Sequence, residues 1–145
     1  MDGRNQYQYV SEIRTVIVRL IKKLRKESVT GQHLSLTERS TIALLFQYKE
    51  LLPSELASME KITNQSMSQI LNHLLELGYI IRTASKTDKR KVIISLTKAG
   101  ENVLVQVRNE RDEWLIKAIE HTCSQEEQEL LKKVIIPLTK IVDFE

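Results

Sequence analysis

The stretch that decides the fold is LPSELASMEKITNQSMSQILNHLLELGYIIRTASKTDKRKVIISLT, residues 52–97. Pro53 suits the first turn of a helix, where a backbone N–H would have no partner, so a short helix is predicted over residues 54–59. Thr63 offers a side-chain oxygen to cap the next helix, residues 64–77, whose apolar stripe is Met67, Ile70, Leu71, Leu74 and Leu77 and whose terminator is Gly78. The pattern then changes. Tyr79-Ile80-Ile81-Arg82-Thr83 and Lys91-Val92-Ile93-Ile94-Ser95-Leu96 are rich in β-branched residues and flank a polar run, which predicts a hairpin with a charged tip, the wing, at about 80–96.

Working outward, Val10, Ile13, Ile17, Leu20, Ile21 and Leu24 keep the 3–4 spacing of an amphipathic first helix. Ser35 with Glu38, or Thr37 alone, can cap a second helix that carries Ile42, Ala43, Leu45 and Phe46 and ends near Tyr48. On the other side Thr97 can cap a long helix through Val103, Val107, Trp114, Ala118 and Ile119. Ser124 and Glu127 form a capping box opening the last helix, in which Pro137 is expected to kink or break the chain. The predicted fold is mainly α with a small β-hairpin wing. A winged helix-turn-helix lobe at 35–97 lies between an N-terminal helix at 1–34 and C-terminal helices at 98–145.

Composition sets the class. The 145 residues are enough for one domain with an unstapled core, and 41% hydrophobic and 28% charged residues with four Gly and two Pro favour a helical globule over a disordered chain. One cysteine, Cys123, cannot form an internal disulfide, no apolar run approaches the ~18 residues of a membrane span, and Met1 to Gln6 lacks the apolar stretch of a signal peptide. A cytoplasmic location is expected. The net charge is +3, yet it is focused: residues 82–91 hold Arg82, Lys86, Lys89, Arg90 and Lys91 against the single acid Asp88, whereas residues 124–145 are net acidic.

That focus bears on chemistry. A helix enters the major groove of DNA only if its exposed face carries short or hydrogen-bonding side chains and few acids. Between Thr63 and Leu75 there is no Asp or Glu, and the non-apolar positions are Asn64, Gln65, Ser66, Ser68, Gln69, Asn72 and His73. Asn and Gln pair with base edges, Ser and Thr bind phosphates, and the helix N-terminus attracts an anion. Lys86, Lys89 and Arg90 at the hairpin tip suit a phosphate backbone or a minor groove. Double-stranded DNA is therefore the expected partner.

In this order the elements resemble the MarR family of bacterial transcription regulators. Pro53-Ser54-Glu55-Leu56-Ala57, Leu74-x-x-Leu77-Gly78-Tyr79-Ile80, Asp88-Lys89-Arg90 and Ser95-Leu96-Thr97-Lys98-Ala99-Gly100 carry the resemblance. It implies a homodimer in which the first and last two helices intertwine and a pseudo-palindromic operator is bound. In that arrangement the recognition helices enter successive major grooves and Arg90 enters the minor groove. It further implies that Asp88 orients the wing through a salt bridge, for which Arg82 is the candidate partner. Repression relieved by a small effector, often aromatic or phenolic, belongs to the same implication. Two positions depart from the family: Glu60 and Lys61 stand where an apolar residue and Gly are usual, which predicts a less favoured backbone at the turn. Asn64 replaces a common basic residue, which with Gln65 and Gln69 leans base preference toward A·T pairs.

Other readings stay open. Periodicity alone is equally satisfied if the terminal helices pack on one another inside a monomer. No Gly-rich phosphate loop, zinc-protease motif or catalytic triad is present, and His121-x-Cys123 supplies two metal ligands where a zinc site needs at least three, so neither enzyme activity, a metal nor a cofactor is expected. A winged-helix module that binds protein, and a regulator that senses oxidants through Cys123, are the alternatives to an effector-released repressor.

Overall fold

A computed structural model describes residues 3–145. The elements are α1 (Gly3–Lys26), a 3-10 turn (Thr30–His33), α2 (Leu36–Tyr48), β1 (Glu50–Leu51), α3 (Pro53–Glu60), α4 (Asn64–Glu76), β2 (Ile80–Ala84), β3 (Val92–Leu96), α5 (Lys98–Thr122) and α6 (Gln125–Val142). The chain divides into two compact units, one made of α1 and Glu110–Glu145, the other of Ser28–Asn109. None of the helices among the described residues is long and apolar enough to cross a membrane.

In the unit Ser28–Asn109 the caps lie where the side chains demand them. Ser35 Oγ accepts from the Glu38 N–H at 3.1 Å and Glu38 Oε1 accepts from the Ser35 N–H at 3.1 Å, a reciprocal box that satisfies two donors left over at the start of α2. Thr63 Oγ1 accepts from the Ser66 N–H at 3.1 Å and does the same for α4. Helix α4 ends at Gly78, whose φ of 77° lets the Tyr79 N–H reach the Leu74 carbonyl at 3.0 Å and its own N–H reach Leu75 at 3.0 Å.

Helix α3 ends in the same way without glycine. Lys61 adopts φ 56° and ψ 43°, and the Ile62 N–H reaches the Ala57 carbonyl at 3.0 Å. The departure at Glu60-Lys61 is thus absorbed by a left-handed backbone that a side chain disfavours. Geometry of the turn is preserved at a local cost.

The wing belongs to a three-stranded antiparallel sheet of order β1-β3-β2, rather than a two-stranded hairpin alone. Glu50 and Leu51 pair with Ser95 and Ile94, so β3 is central. A two-residue strand has no alternation to read, which is why the sequence pattern omits it. Leu56, Met67, Leu71, Leu74, Ile80 and Ile94 are fully buried with Ile42 and Leu45 of α2, each contributing on the order of 1.5–3 kcal/mol of apolar burial. The stripe predicted for α4 is the stripe that packs; Ile70 and Leu77 flank it, half-buried.

Thr97 joins the wing to α5. Its hydroxyl donates to the Gly78 carbonyl at 2.6 Å and accepts from the Gly100 N–H at 3.1 Å, while its own N–H donates to the Tyr79 carbonyl at 3.0 Å. A Cβ on Gly100 would stand 2.2 Å from that same Tyr79 oxygen, so only glycine permits the approach.

In the other unit, α1 is longer than its apolar pattern, extending to Gly3 and Lys26. Ser124 and Glu127 form the expected capping box at α6. Pro137 does not break that helix, which runs on to Val142. Proline removes one ladder hydrogen bond, and the turns on either side retain theirs.

Candidate nucleic-acid interface

The interface is assembled from α4 and the wing. Thr63, Asn64, Gln65, Ser66, Ser68, Gln69 and Asn72 are all solvent-exposed, because the 3.6-residue period turns Met67, Leu71 and Leu74 inward and leaves the polar positions outward. Besides capping the helix, the Thr63 hydroxyl donates to Ser66 Oγ at 2.9 Å. No acid lies in the first turn of α4, so its positive dipole end is not neutralised by the helix's own side chains.

The acids of α2 and α3 nearest to α4 are engaged elsewhere. Glu55 accepts from the Leu52 N–H at 2.9 Å, and Glu60 accepts from Ser40 Oγ at 2.5 Å. Glu38 of α2 meets His73 of α4, with 2.5 Å between Oε2 and Nδ1. Burial pushes the Glu38 carboxyl up, but the Ser35 N–H, the His73 ring, the Ser35 hydroxyl and the His73 charge outweigh it and hold its pKa below the ordinary value. His73 therefore belongs to the support of α4 as well as to its polar face.

Lys86, Lys89 and Arg90 stand exposed at the wing tip. The tip is a constructed loop: buried Ser85 donates its N–H to the Lys91 carbonyl at 2.9 Å, and its hydroxyl accepts from the N–H groups of Thr87 and Asp88, both at 3.3 Å. Asp88 Oδ1 accepts from the Arg90 N–H at 3.1 Å and from Arg90 Nε at 3.4 Å, while 93% of the Arg90 side chain remains accessible. The guanidinium is presented outward with its base restrained.

Arg82 does not meet Asp88. In the β2–β3 register Arg82 is opposite Ile94, so it shares the sheet face that Ile80 and Ile94 turn toward the core, and Asp88 lies in the loop beyond the strand. From that face Arg82 Nη2 donates to Asn72 Oδ1 of α4 at 2.7 Å. The wing-orienting pair expected of Arg82 and Asp88 is thus replaced by two separate contacts, Asp88–Arg90 within the tip and Arg82–Asn72 between strand and helix. Neither Arg82–Asn72 nor Glu38–His73 has a sequence signal, since 10 and 35 residues separate the partners. Cys123 lies half-buried between α5 and α6, with Sγ 3.7 Å from Thr122 Oγ1.

A short supporting helix, an exposed helix free of acids over its first three turns across a tight turn, and a basic wing at its exit define a winged helix-turn-helix transcription regulator that binds DNA. The MarR family model matches residues 34–92. The regulator FarR of Neisseria gonorrhoeae, an HTH-type transcriptional regulator, is 33% identical over 102 residues, covering 70% of this chain and 69% of that one. The chain belongs to the MarR family of winged helix-turn-helix transcription regulators. A crystal structure from Pseudomonas aeruginosa PA01 superposes with a TM-score of 0.80 at 26% identity, covering 97% of this chain and 98% of that one. A mutant of Staphylococcus aureus MepR, solved bound to an oligodeoxyribonucleotide, shares the fold at a TM-score of 0.72 and 19% identity, covering 93% and 98% of the two chains. Membership sets the chain among regulators and not enzymes.

Proposed function

We propose that this protein is a cytoplasmic homodimeric repressor that binds a pseudo-palindromic operator and leaves it when a small effector binds. The observation that carries the DNA half of the reading is the exposed polar face of α4, free of acids from Asn64 to Leu75, beside a wing that holds Arg90 outward. In this reading Asn64, Gln65, Ser68 and Gln69 meet base edges in the major groove, Thr63 and Ser66 meet the backbone at its rim, and Arg90, with Lys86 and Lys89, meets the minor groove and its phosphates. The oligonucleotide-bound MepR structure supports it by analogy.

The dimer is supported by unsatisfied apolar surface. Val10, Val16 and Ile17 of α1 and Leu130, Ile135 and Ile141 of α6 are exposed, Ile141 by 68%. Contiguous apolar faces on helices of this length mark an interface, and a second copy of the chain gives a closed, symmetric solution that would space two lobes about one DNA turn apart. Effector release, with a small aromatic or phenolic molecule as ligand, rests on family membership.

A gel-retardation assay with the gene's upstream intergenic duplex tests the reading. Retardation by the dimer is expected, weakened by Arg90→Ala and by Gln69→Ala and relieved by the effector. A protein-interaction module would leave the duplex unretarded at low salt and be indifferent to both substitutions.

A further inference from the structure

The contact between Asn72 and Arg82 changes what each can do on DNA. To read adenine, an asparagine carboxamide must accept from N6 through Oδ1 and donate to N7 through Nδ2 at once. Here one of the two lone pairs of Oδ1 is taken by Arg82 Nη2 at 2.7 Å, a hydrogen bond from a charged donor and hence among the stronger kind. The carboxamide is planar, so turning Oδ1 toward β2 turns Nδ2 away from it. What Asn72 has left to offer is one lone pair beside the bound guanidinium and two N–H donors.

Arg82 also has donors in reserve. Its guanidinium carries five N–H groups and no acceptor, and it stays charged at any physiological pH. It is exposed, as is Asn72, so the pair forms a small positively charged cluster of donors bridging the middle of α4 and strand β2. Such a cluster, positively charged and with far more donors than acceptors, favours an acceptor over a base edge that itself donates. It fits an anionic oxygen bearing several lone pairs. Position agrees: Asn72 falls in the third turn of α4, well past the N-terminal residues with which a recognition helix reads bases.

We infer that Asn72 and Arg82 form one phosphate-binding unit that anchors helix and wing together on the DNA backbone, and that Asn72 reads no base. Arg82 then meets the phosphate itself and also holds Asn72 in place beside it. The inference rests on the DNA-binding reading and deepens it: it moves Asn72 from sequence readout to register.

The test compares the full-length wild type with Asn72→Ala, Asn72→Asp, Arg82→Ala and the double Ala variant. Each is assayed on the upstream intergenic duplex and on a scrambled duplex of equal composition, over a salt series. Asn72→Ala is expected to weaken binding to both duplexes about equally, by up to about tenfold, leaving the preference between them unchanged. Arg82→Ala should do the same and reduce the slope of log affinity against log salt by about 1.8, the share of two phosphates, one for each subunit of the dimer. Asn72→Asp keeps an acceptor for Arg82 but adds a negative charge, and should bind more weakly than Asn72→Ala. The double variant should lose less than the product of the two single losses. Unchanged circular dichroism melts confirm that these exposed substitutions leave the fold intact. A loss of preference between duplexes in Asn72→Ala, or an unchanged salt slope in Arg82→Ala, overturns the inference while leaving DNA binding standing. A wild type that retards neither duplex overturns both.

Discussion

Glu38 on α2 and His73 on α4 are in direct contact, with 2.5 Å between Oε2 and Nδ1, and the same carboxylate closes the capping box of Ser35. One side chain therefore fixes the start of the core helix α2 and ties it to α4, the helix proposed to face DNA.

These contacts, the hydrogen bond from the Ser35 N–H foremost and then that with His73, make stability depend on pH. The Glu38 pKa is lowered in the folded chain, so between the ordinary glutamate value and the depressed one the unfolded state binds more protons than the folded state. Stability is fully present above the ordinary value and falls as pH drops through the folded one. Denaturant unfolding of wild type across the acidic range should show that decline, and Glu38→Gln should flatten it. An equally steep decline in the variant would assign the effect to other carboxylates.

Lys61 and Gly78 occupy equivalent places at the ends of α3 and α4, and both have positive φ. Replacing Lys61 by Gly should raise stability by about 0.5–1 kcal/mol, because relief of the left-handed penalty exceeds the added freedom of the unfolded chain. Gly78→Ala should lower it by a similar amount. Urea midpoints measured at constant slope would report both.

Gly100→Ala should be the more damaging change. Its methyl would collide with the Tyr79 carbonyl, which also accepts from Thr97, so relief requires moving the wing or α5. A loss of about 1–3 kcal/mol is expected, seen as a lower thermal midpoint, with weaker DNA binding as the wing shifts.

Asp88 restrains Arg90 through its backbone and side chain while being itself only partly buried. Asp88→Ala should leave thermal stability nearly unchanged and weaken operator binding severalfold, because Arg90 then loses its preset direction. Arg90→Ala should weaken binding further and reduce the salt slope of the dimer by about 1.8, one phosphate for each subunit. Salt-titrated affinities distinguish the two.

A charge in the exposed apolar face of α6 should separate the subunits. Ile135 is 63% exposed in the single chain, and Ile135→Asp would place an unpaired carboxylate in the proposed interface, raising the dimer dissociation constant roughly a hundredfold or more. Sedimentation should then find monomer, with helix content retained and operator binding lost. A dimer unaffected by the substitution would move the interface elsewhere.

What the sequence by itself determined is what acts over a few residues. The caps at Ser35, Thr63, Thr97 and Ser124, the terminator Gly78 and the stripe Met67, Leu71, Leu74 follow from hydrogen bonds and periodicities that close within one or two turns, and they place α4 and its polar face correctly. The basic tip was legible for the same reason. Tertiary structure decided which distant side chains meet. Strand β1 exists only because β3 is there to pair with it, and Glu38 finds His73 only because α2 packs across α4. Arg82 meets Asn72 rather than Asp88 because the β2–β3 register turns it to the recognition helix. Such partnerships depend on register and packing, to which local propensity is blind.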